Sequence, residues 1–333
     1  MAVLWSMATL LCALADGYGQ MLGARFLVGL GEAAYGSVGI AIVLTVFAPR
    51  VHAALSGAFM AGGSFGSTLG IALGGLLAVH LGWRWAFAAM AGFGLVLLVL
   101  TPLLVTERRL ARHTAAPTTI APSPRLPLST LFTNPAVVCA YVGSGLQMFT
   151  AAVLLSWTPS FFNRYYALGP DKAAAVAGGF VLLVGGGMVV CGLITDRVAR
   201  NEPRRRWTTC IGYCVISLVC LSTGFRLDNG LPQLVLIGIG AFFAAGSSGP
   251  AAAMVARLTH PSVRASAMGT LTVANNLIGL ALGPVVVGLL ADRLGLLAAL
   301  QIAPLVYVAA IAALLLGRHL YQAGLRRLQR ART

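Results

Sequence analysis

The sequence predicts an all-α, polytopic membrane protein, and three observations predict it. Only 9% of its 333 residues are charged while 58% are apolar, which leaves too little polar surface for a soluble domain. Apolar runs close to or longer than the roughly 20 residues that cross a hydrocarbon core recur along the whole chain. Basic residues gather in alternate gaps between those runs, as they do in a chain that threads a bilayer repeatedly.

Taken in order, the apolar stretches give ten expected spans, at about 2–16, 19–47, 53–80, 83–105, 136–162, 173–195, 207–225, 232–257, 264–290 and 296–317. The first run has no Lys or Arg before it and leads straight into another span, so it reads as part of the protein and not as a secretion signal. Between the fourth and fifth spans, residues 106–134 carry Arg108, Arg109, Arg112 and Arg125 with Pro117, Pro122, Pro124 and Pro127, the composition of a linker. The expected organisation is therefore a half-bundle at 1–105, a linker at 106–134 and a second half-bundle with a basic tail at 135–333.

If that linker is cytoplasmic, 17 basic residues fall on its side of the membrane and five (Arg84, Arg164, Lys172, Arg226 and Arg293) on the other. The asymmetry places the linker and the C-terminus in the cytoplasm and, with an even number of spans, the N-terminus also. A net charge of +15 is then a topology signal in a multi-pass inner (plasma) membrane protein, and nucleic-acid binding is the weaker explanation.

An internal repeat divides the chain. GIALG at 70–74 returns as GLALG at 279–283, and GLLAVHLG at 75–82 as GLLADRLG at 288–295. VGLG at 28–31 faces IGIG at 237–240, so the halves are parallel pseudo-repeats. The second half has two spans before the one that matches the first span here. A twelve-helix design of which this chain holds the third to twelfth is expected.

Arg25 and Glu32 lie two helical turns apart on nearly the same face of the second span, about 10 Å apart in depth. Charges inside a span cost a few kcal/mol unless they face a partner or a water-filled path. Glu32 is expected to exchange a proton, and Arg25 to pair with Glu32 or with an anionic substrate. At the repeat offset they face Leu234 and Ala241, which speaks against a fold requirement shared by both halves. An ion pair that fixes helix packing is the alternative.

Gly62, Gly66, Gly70 and Gly74 form a ladder on one helix face suited to close helix packing. Gly178, Gly179 and Gly185 to Gly187 suggest a pliable sixth span. Tyr35, Gln147 and Asn275 are polar at mid-span and are candidates to line a central cavity, with hydrogen bonding across helices as the alternative. Asp196, Arg197 and Arg200 at a helix end are candidate gating residues, while Arg200 to Arg206 read equally as a positive-inside anchor.

The stretch RFLVGLGEA at 25–33 resembles the fourth-helix motif of the major facilitator superfamily, and Gly192, Asp196, Arg197 and Arg200 resemble the second-half copy of its gating loop. Trp83, Trp85 and the continuation to Tyr35 are similar to the spinster-like branch, whose members export lysolipids and sphingoid phosphates. The resemblance implies the major facilitator fold, with the first two helices and the first gating loop missing, and a secondary active transporter working by alternating access. Its expected partners are a small organic, amphipathic or lipid-like anion, protons and the bilayer, with the protein a monomer. Ser67 stands where drug antiporters of the superfamily have proline. A multidrug or sugar-acid transporter, or an inactive truncated remnant, are the other readings.

The five histidines lie at span ends or in the linker, and no nucleophile triad or paired carboxylate is visible, so no enzyme and no cofactor is expected. Cys210 and Cys214 are one turn apart but lack further ligands nearby, so no metal site is expected.

Overall fold

The computed structural model describes residues 2–104 and 130–330, within which the side chains of some helical residues, Tyr35 among them, lie outside the described residues. So does most of the linker expected at 106–134. Among the described residues the chain is helical throughout, without a strand.

The first half holds α1 (Ala2–Ala13), α2 (Tyr18–Val46), α3 (His52–Leu81) and α4 (Trp83–Leu104). The second holds α5 (Pro135–Tyr165), α6 (Pro170–Val198), α7 (Arg205–Gly224), α8 (Leu231–Phe243), α9 (Ser248–Leu258), α10 (Arg264–Ala274), α11 (Leu282–Leu294), α12 (Leu296–Ile302) and α13 (Val306–Arg330). Each expected span coincides with one helix or with two helices joined by a short irregularity. Among the described residues, seven helical stretches are long and apolar enough to cross a membrane, and Val3–Ala13 is a shorter apolar helix.

Local sequence sets the boundaries. Ala48 precedes Pro49, whose ring disfavours the helical region for it, and it ends α2 in an extended conformation. Pro135 opens α5, where its missing N–H costs nothing, and the Asn134 side chain accepts the N–H of Ala136. The α8 and α9 pair is interrupted at Ala244 to Ser247, and α10 runs into α11 through a π-helical segment, Asn275–Ala281.

The repeat is visible in the backbone. Gly82 and Gly295, equivalent in the sequence alignment of the halves, both adopt φ of +87°, a conformation that glycine reaches without the Cβ penalty, and each turns one helix directly into the next. The 3-10 turns Pro49–Val51 and Pro261–Val263 likewise precede equivalent helices, α3 and α10.

The core of the second half is built on fully buried Trp207, Tyr307, Leu221, Met268 and Leu300. Large apolar side chains such as Phe26, Val99, Leu193, Val285 and Leu289 point outward. A surface so rich in exposed Leu, Val and Phe matches lipid better than water.

The halves meet through α3, which packs on α6 and α9, and through α2, which packs on α10. Contact is concentrated in the first turns of α3, where Ala53, Ala54, Ser56, Gly57 and Ala61 are buried. Further along the same helix Gly62, Gly66, Leu69 and Leu73 are exposed. The two halves thus join at the end of the bundle that carries Arg50, Arg206 and Arg264.

Candidate functional site

That junction is organised around Asp196, in the last turn of α6. Its carboxylate accepts a hydrogen bond from the backbone N–H of Ala54 at 2.7 Å, in the first turn of α3. The first N–H groups of a helix have no partner within it and sit at the positive end of the helix dipole, so a carboxylate satisfies both needs. The second oxygen accepts from Arg206 Nη2 at 3.4 Å, and both side chains of this pair are buried, at 6% and 4% exposed. A buried carboxylate without Arg206 would be an uncompensated charge.

The helices approach closely here because three positions lack a side chain. A Cβ on Gly192 of α6 would lie 2.6 Å from the carbonyl oxygen of Ala53. One on Gly57 of α3 would collide with the carbonyl of Met188, and one on Gly249 of α9 with the carbonyl of Ala53 and the N–H of Gly57. In all three cases the obstacle is backbone, which cannot swing aside.

This corrects part of the expected gating set. Asp196 does bridge the halves, but Arg197 and Arg200 are exposed and form no ion pair with it. They follow Asp196 on its own helix end and point away from α3, whereas Arg206 returns from the start of α7 after a short loop. The sequence signal for Arg206 was the charged run at 204–206, whose members differ only in the face of α7 they occupy.

The expected glycine ladder is also displaced. Among the described residues nothing lies within 4 Å of a Cβ placed at Gly62, Gly66, Gly70 or Gly74. The close-packing glycine of α3 is Gly57, one turn before the ladder begins. The glycine-rich α6 is continuous from Pro170 to Val198, and Gly187 lies against the carbonyl of Phe242.

On α2, Arg25 and Glu32 are both exposed and do not pair with each other. The guanidinium of Arg25 stacks 4.9 Å from the ring centroid of Phe87 on α4, a cation–π contact. The neighbouring Gly31 faces α1, where a Cβ would come 2.9 Å from Trp5 Cβ. The packing of α2 against α1 and α10 therefore leaves the Arg25 and Glu32 side uncovered by either.

Gln147 of α5 is 1% exposed and bonded to the interruption between α8 and α9. Its Nε2 donates to the Phe243 carbonyl at 3.3 Å, and its Oε1 accepts from the backbone N–H of Ser247 at 2.7 Å and from the Ser247 hydroxyl. Tyr307 of α13 donates to the Ala244 carbonyl at 3.2 Å. These side chains replace bonds that the broken helix cannot make internally. Gln147 is therefore a cross-helix fastener, the alternative to cavity lining. Asn275 opens the π segment, is 4% exposed, and its Oδ1 has no hydrogen-bond donor among the described residues.

Comparison with known proteins agrees with this architecture. Residues 1–240 match the model of the Major Facilitator Superfamily. The chain is 26% identical over 294 residues to an MFS-type efflux pump of Mycolicibacterium smegmatis, covering 87% of this chain and 67% of that protein. It is 25% identical over 315 residues to protein spinster homolog 1 of Homo sapiens, covering 87% of this chain but only 59% of the relative's length. Among solved structures, the human organic anion transporter MFSD10 (TETRAN) superposes with a TM-score of 0.68 at 20% identity, covering 94% of this chain and 76% of that one. A bacterial homolog of the human lysosomal transporter Spinster, inward-facing and occupied, superposes at 0.54 with 18% identity, covering 98% and 81%. At such identities the structures speak to the fold alone. With the family match spanning most of the residues and an all-helical bundle of two repeats around it, the chain belongs to the Major Facilitator Superfamily, a family of transporters and not of enzymes.

Proposed function

We propose that the chain works as a secondary active transporter that moves a small organic or amphipathic anion by alternating access, coupled to protons through Glu32. The observation that carries this reading is the clasp of Asp196 on the first turn of α3. It joins the two halves at one end, through the Asp196 carboxylate on the Ala54 N–H and close backbone contacts, while Arg206, which balances the Asp196 charge, moves with it in the second half. Water can resolvate both Asp196 and the α3 N-terminus when they part, so the clasp suits a reversible closure.

Support for an anion comes from Arg25, an exposed cation on α2 that no carboxylate neutralises among the described residues. Support for proton coupling comes from Glu32, the only acidic residue between Asp16 and Glu107. We place the protein in the inner (plasma) membrane as a monomer, with the arginine-rich end and both termini cytoplasmic. Reporter fusions following residues 106 and 333 both read cytoplasmic under this topology. A periplasmic signal at either one overturns it.

The test of function is uptake by proteoliposomes under an imposed proton gradient, read with a panel of organic anions and lysolipids. Accumulation of an anionic compound that collapses with a protonophore supports the proposal; gradient-independent behaviour across the panel rejects the coupling. An efflux reading is favoured by the mycobacterial relative's name, MFS-type efflux pump, and a multidrug pump is one form of it. It requires cationic or neutral drugs to be moved in preference to anions.

A further inference from the structure

A recess of about 310 Å³ lies at the arginine-rich end, beside the junction of the halves, between the end of α6, the start of α7 and the middle of α13. Arg204, Arg205 and Arg318 line it together with Glu202, Thr208 and Thr209. Its charges are not balanced. Glu202 is taken by Arg205, Nε to Oε2 at 2.9 Å. The neighbouring Arg206 turns inward to Asp196. Arg204 and Arg318 therefore share no carboxylate among the described residues, and the Nε–H group of each is shielded from solvent without an acceptor.

Two guanidinium groups that line one recess with no carboxylate of their own among the described residues favour an anion with several oxygens. Guanidinium groups match the tetrahedral oxyanion of a phosphate in fork geometry, and the Thr208 hydroxyl adds a donor on the same wall. The recess sits where spans end: α6 finishes at Val198, α7 begins at Arg205, and Arg318 directly follows the apolar run that the sequence ends at about 317. That is the depth of lipid headgroups. Positive-inside topology explains why arginines collect on this side, but not why Arg204 and Arg318, from different helices, line one hollow without a carboxylate between them.

We propose that this recess is a binding site for a phosphate-bearing anion, supplied either as the headgroup of an anionic phospholipid or as a free phosphate. Binding there would fasten the α6 to α7 turn to α13, two residues from the Asp196 clasp at Val198.

The experiment uses the full chain purified and reconstituted in nanodiscs of phosphatidylcholine alone or with phosphatidylglycerol, with inorganic phosphate added to the phosphatidylcholine sample as the second arm. Lipid retained by the released protein is measured by native mass spectrometry, and the unfolding midpoint by intrinsic fluorescence. Wild type is expected to retain phosphatidylglycerol over phosphatidylcholine, and Arg204→Gln with Arg318→Gln to lower that retention about tenfold. Arg226→Gln, an equal charge change on an exposed arginine at the opposite end, leaves it unchanged. Stabilisation by phosphatidylglycerol alone identifies a headgroup; stabilisation by inorganic phosphate, lost in the double variant, identifies a free anion. The double variant should keep the wild-type midpoint in phosphatidylcholine; if it does not fold, Arg318→Gln alone must still lower retention about threefold. Retention unaffected by the Arg204 and Arg318 substitutions, or equally lowered by Arg226→Gln, overturns the proposal.

Discussion

Asp196 and Ala54 stand 142 residues apart in the chain and meet at 2.7 Å, carboxylate oxygen to backbone N–H. The bond ties the end of α6 in one half to the start of α3 in the other. It relies on a backbone donor, so no substitution at Ala54 short of proline removes it. The tunable partners are Asp196 itself and Arg206.

Asp196→Asn keeps a side-chain acceptor for the Ala54 N–H but leaves Arg206 buried without its counter-charge. Both residues belong to the second half, so the loss, on the order of 3 to 5 kcal/mol, weakens the seat that presents residue 196 to α3. Transport should fall while the amount of protein in the membrane stays near wild type, because the core of each half is untouched. Arg206→Gln should act in the same direction. Since the two residues form one pair, the double variant Asp196→Asn with Arg206→Gln should be less impaired than the sum of the singles. Loss of membrane expression in step with activity would mark the pair as a folding requirement and not a gate.

Substitution of the junction glycines separates packing from mere flexibility. Gly249→Ala introduces a methyl group against the backbone of Ala53 and Gly57 and should force α9 away from α3, lowering the unfolding midpoint and transport together. Gly66→Ala meets nothing within 4 Å among the described residues and should be neutral or stabilising by up to about 1 kcal/mol through helix propensity. Thermal unfolding and transport of the two variants side by side check the contrast.

Gln147→Leu should destabilise by about 1 to 3 kcal/mol, because the Ser247 N–H and the Phe243 carbonyl then remain buried without their partner. Tyr307→Phe removes one bond to the same interruption, at the Ala244 carbonyl, and should cost about 0.5 to 1.5 kcal/mol. Unfolding midpoints measured in the same detergent rank the two. If Gln147→Leu changes substrate affinity with no effect on the midpoint, the residue belongs to the transport path.

Much of this fold was legible in the sequence because span length and composition act locally. A helix in a bilayer must satisfy its own backbone, so every apolar run of the right length reports a helix without reference to its neighbours. The matching turns at Gly82 and Gly295 were equally legible, as a repeated glycine at the end of a repeated motif. What the sequence did not resolve is which side of a helix meets which partner. Gly57 and the ladder from Gly62 to Gly74 look alike as text, and only the splay of α3 away from the second half after Ala61 distinguishes them. Arg206 differs from Arg205 by about 100° of helical rotation and from Arg204 by about 200°, enough to turn one inward and leave the others lining the recess. Pro250, which cannot donate to the Gly246 carbonyl, marks the interruption at Ala244 to Ser247, but nothing in the sequence ties Gln147 to it. The polar side chains that repair it come from α5 and α13, far away in sequence.

Arg25 and Glu32 carry the coupling proposal, and their positions make separate predictions. In this arrangement the two do not pair: Arg25 rests on Phe87, and Glu32 is exposed. An exposed carboxylate can exchange a proton in one state of the cycle and be desolvated in another, and that difference is what couples protonation to conformation. Glu32→Gln fixes a neutral form and should abolish accumulation driven by a proton gradient. It should spare counterflow exchange, because exchange requires binding and reorientation but no net proton movement. Arg25→Ala removes a cation without disturbing an ion pair, so the change in binding should depend on the charge of the substrate. An anionic compound should lose affinity by about tenfold or more, while a neutral analogue of similar shape should lose little. Both measurements use the same proteoliposomes. Undiminished proton dependence in Glu32→Gln removes Glu32 from the coupling mechanism, and equal losses for anion and neutral analogue in Arg25→Ala reduce Arg25 to a packing residue held by Phe87.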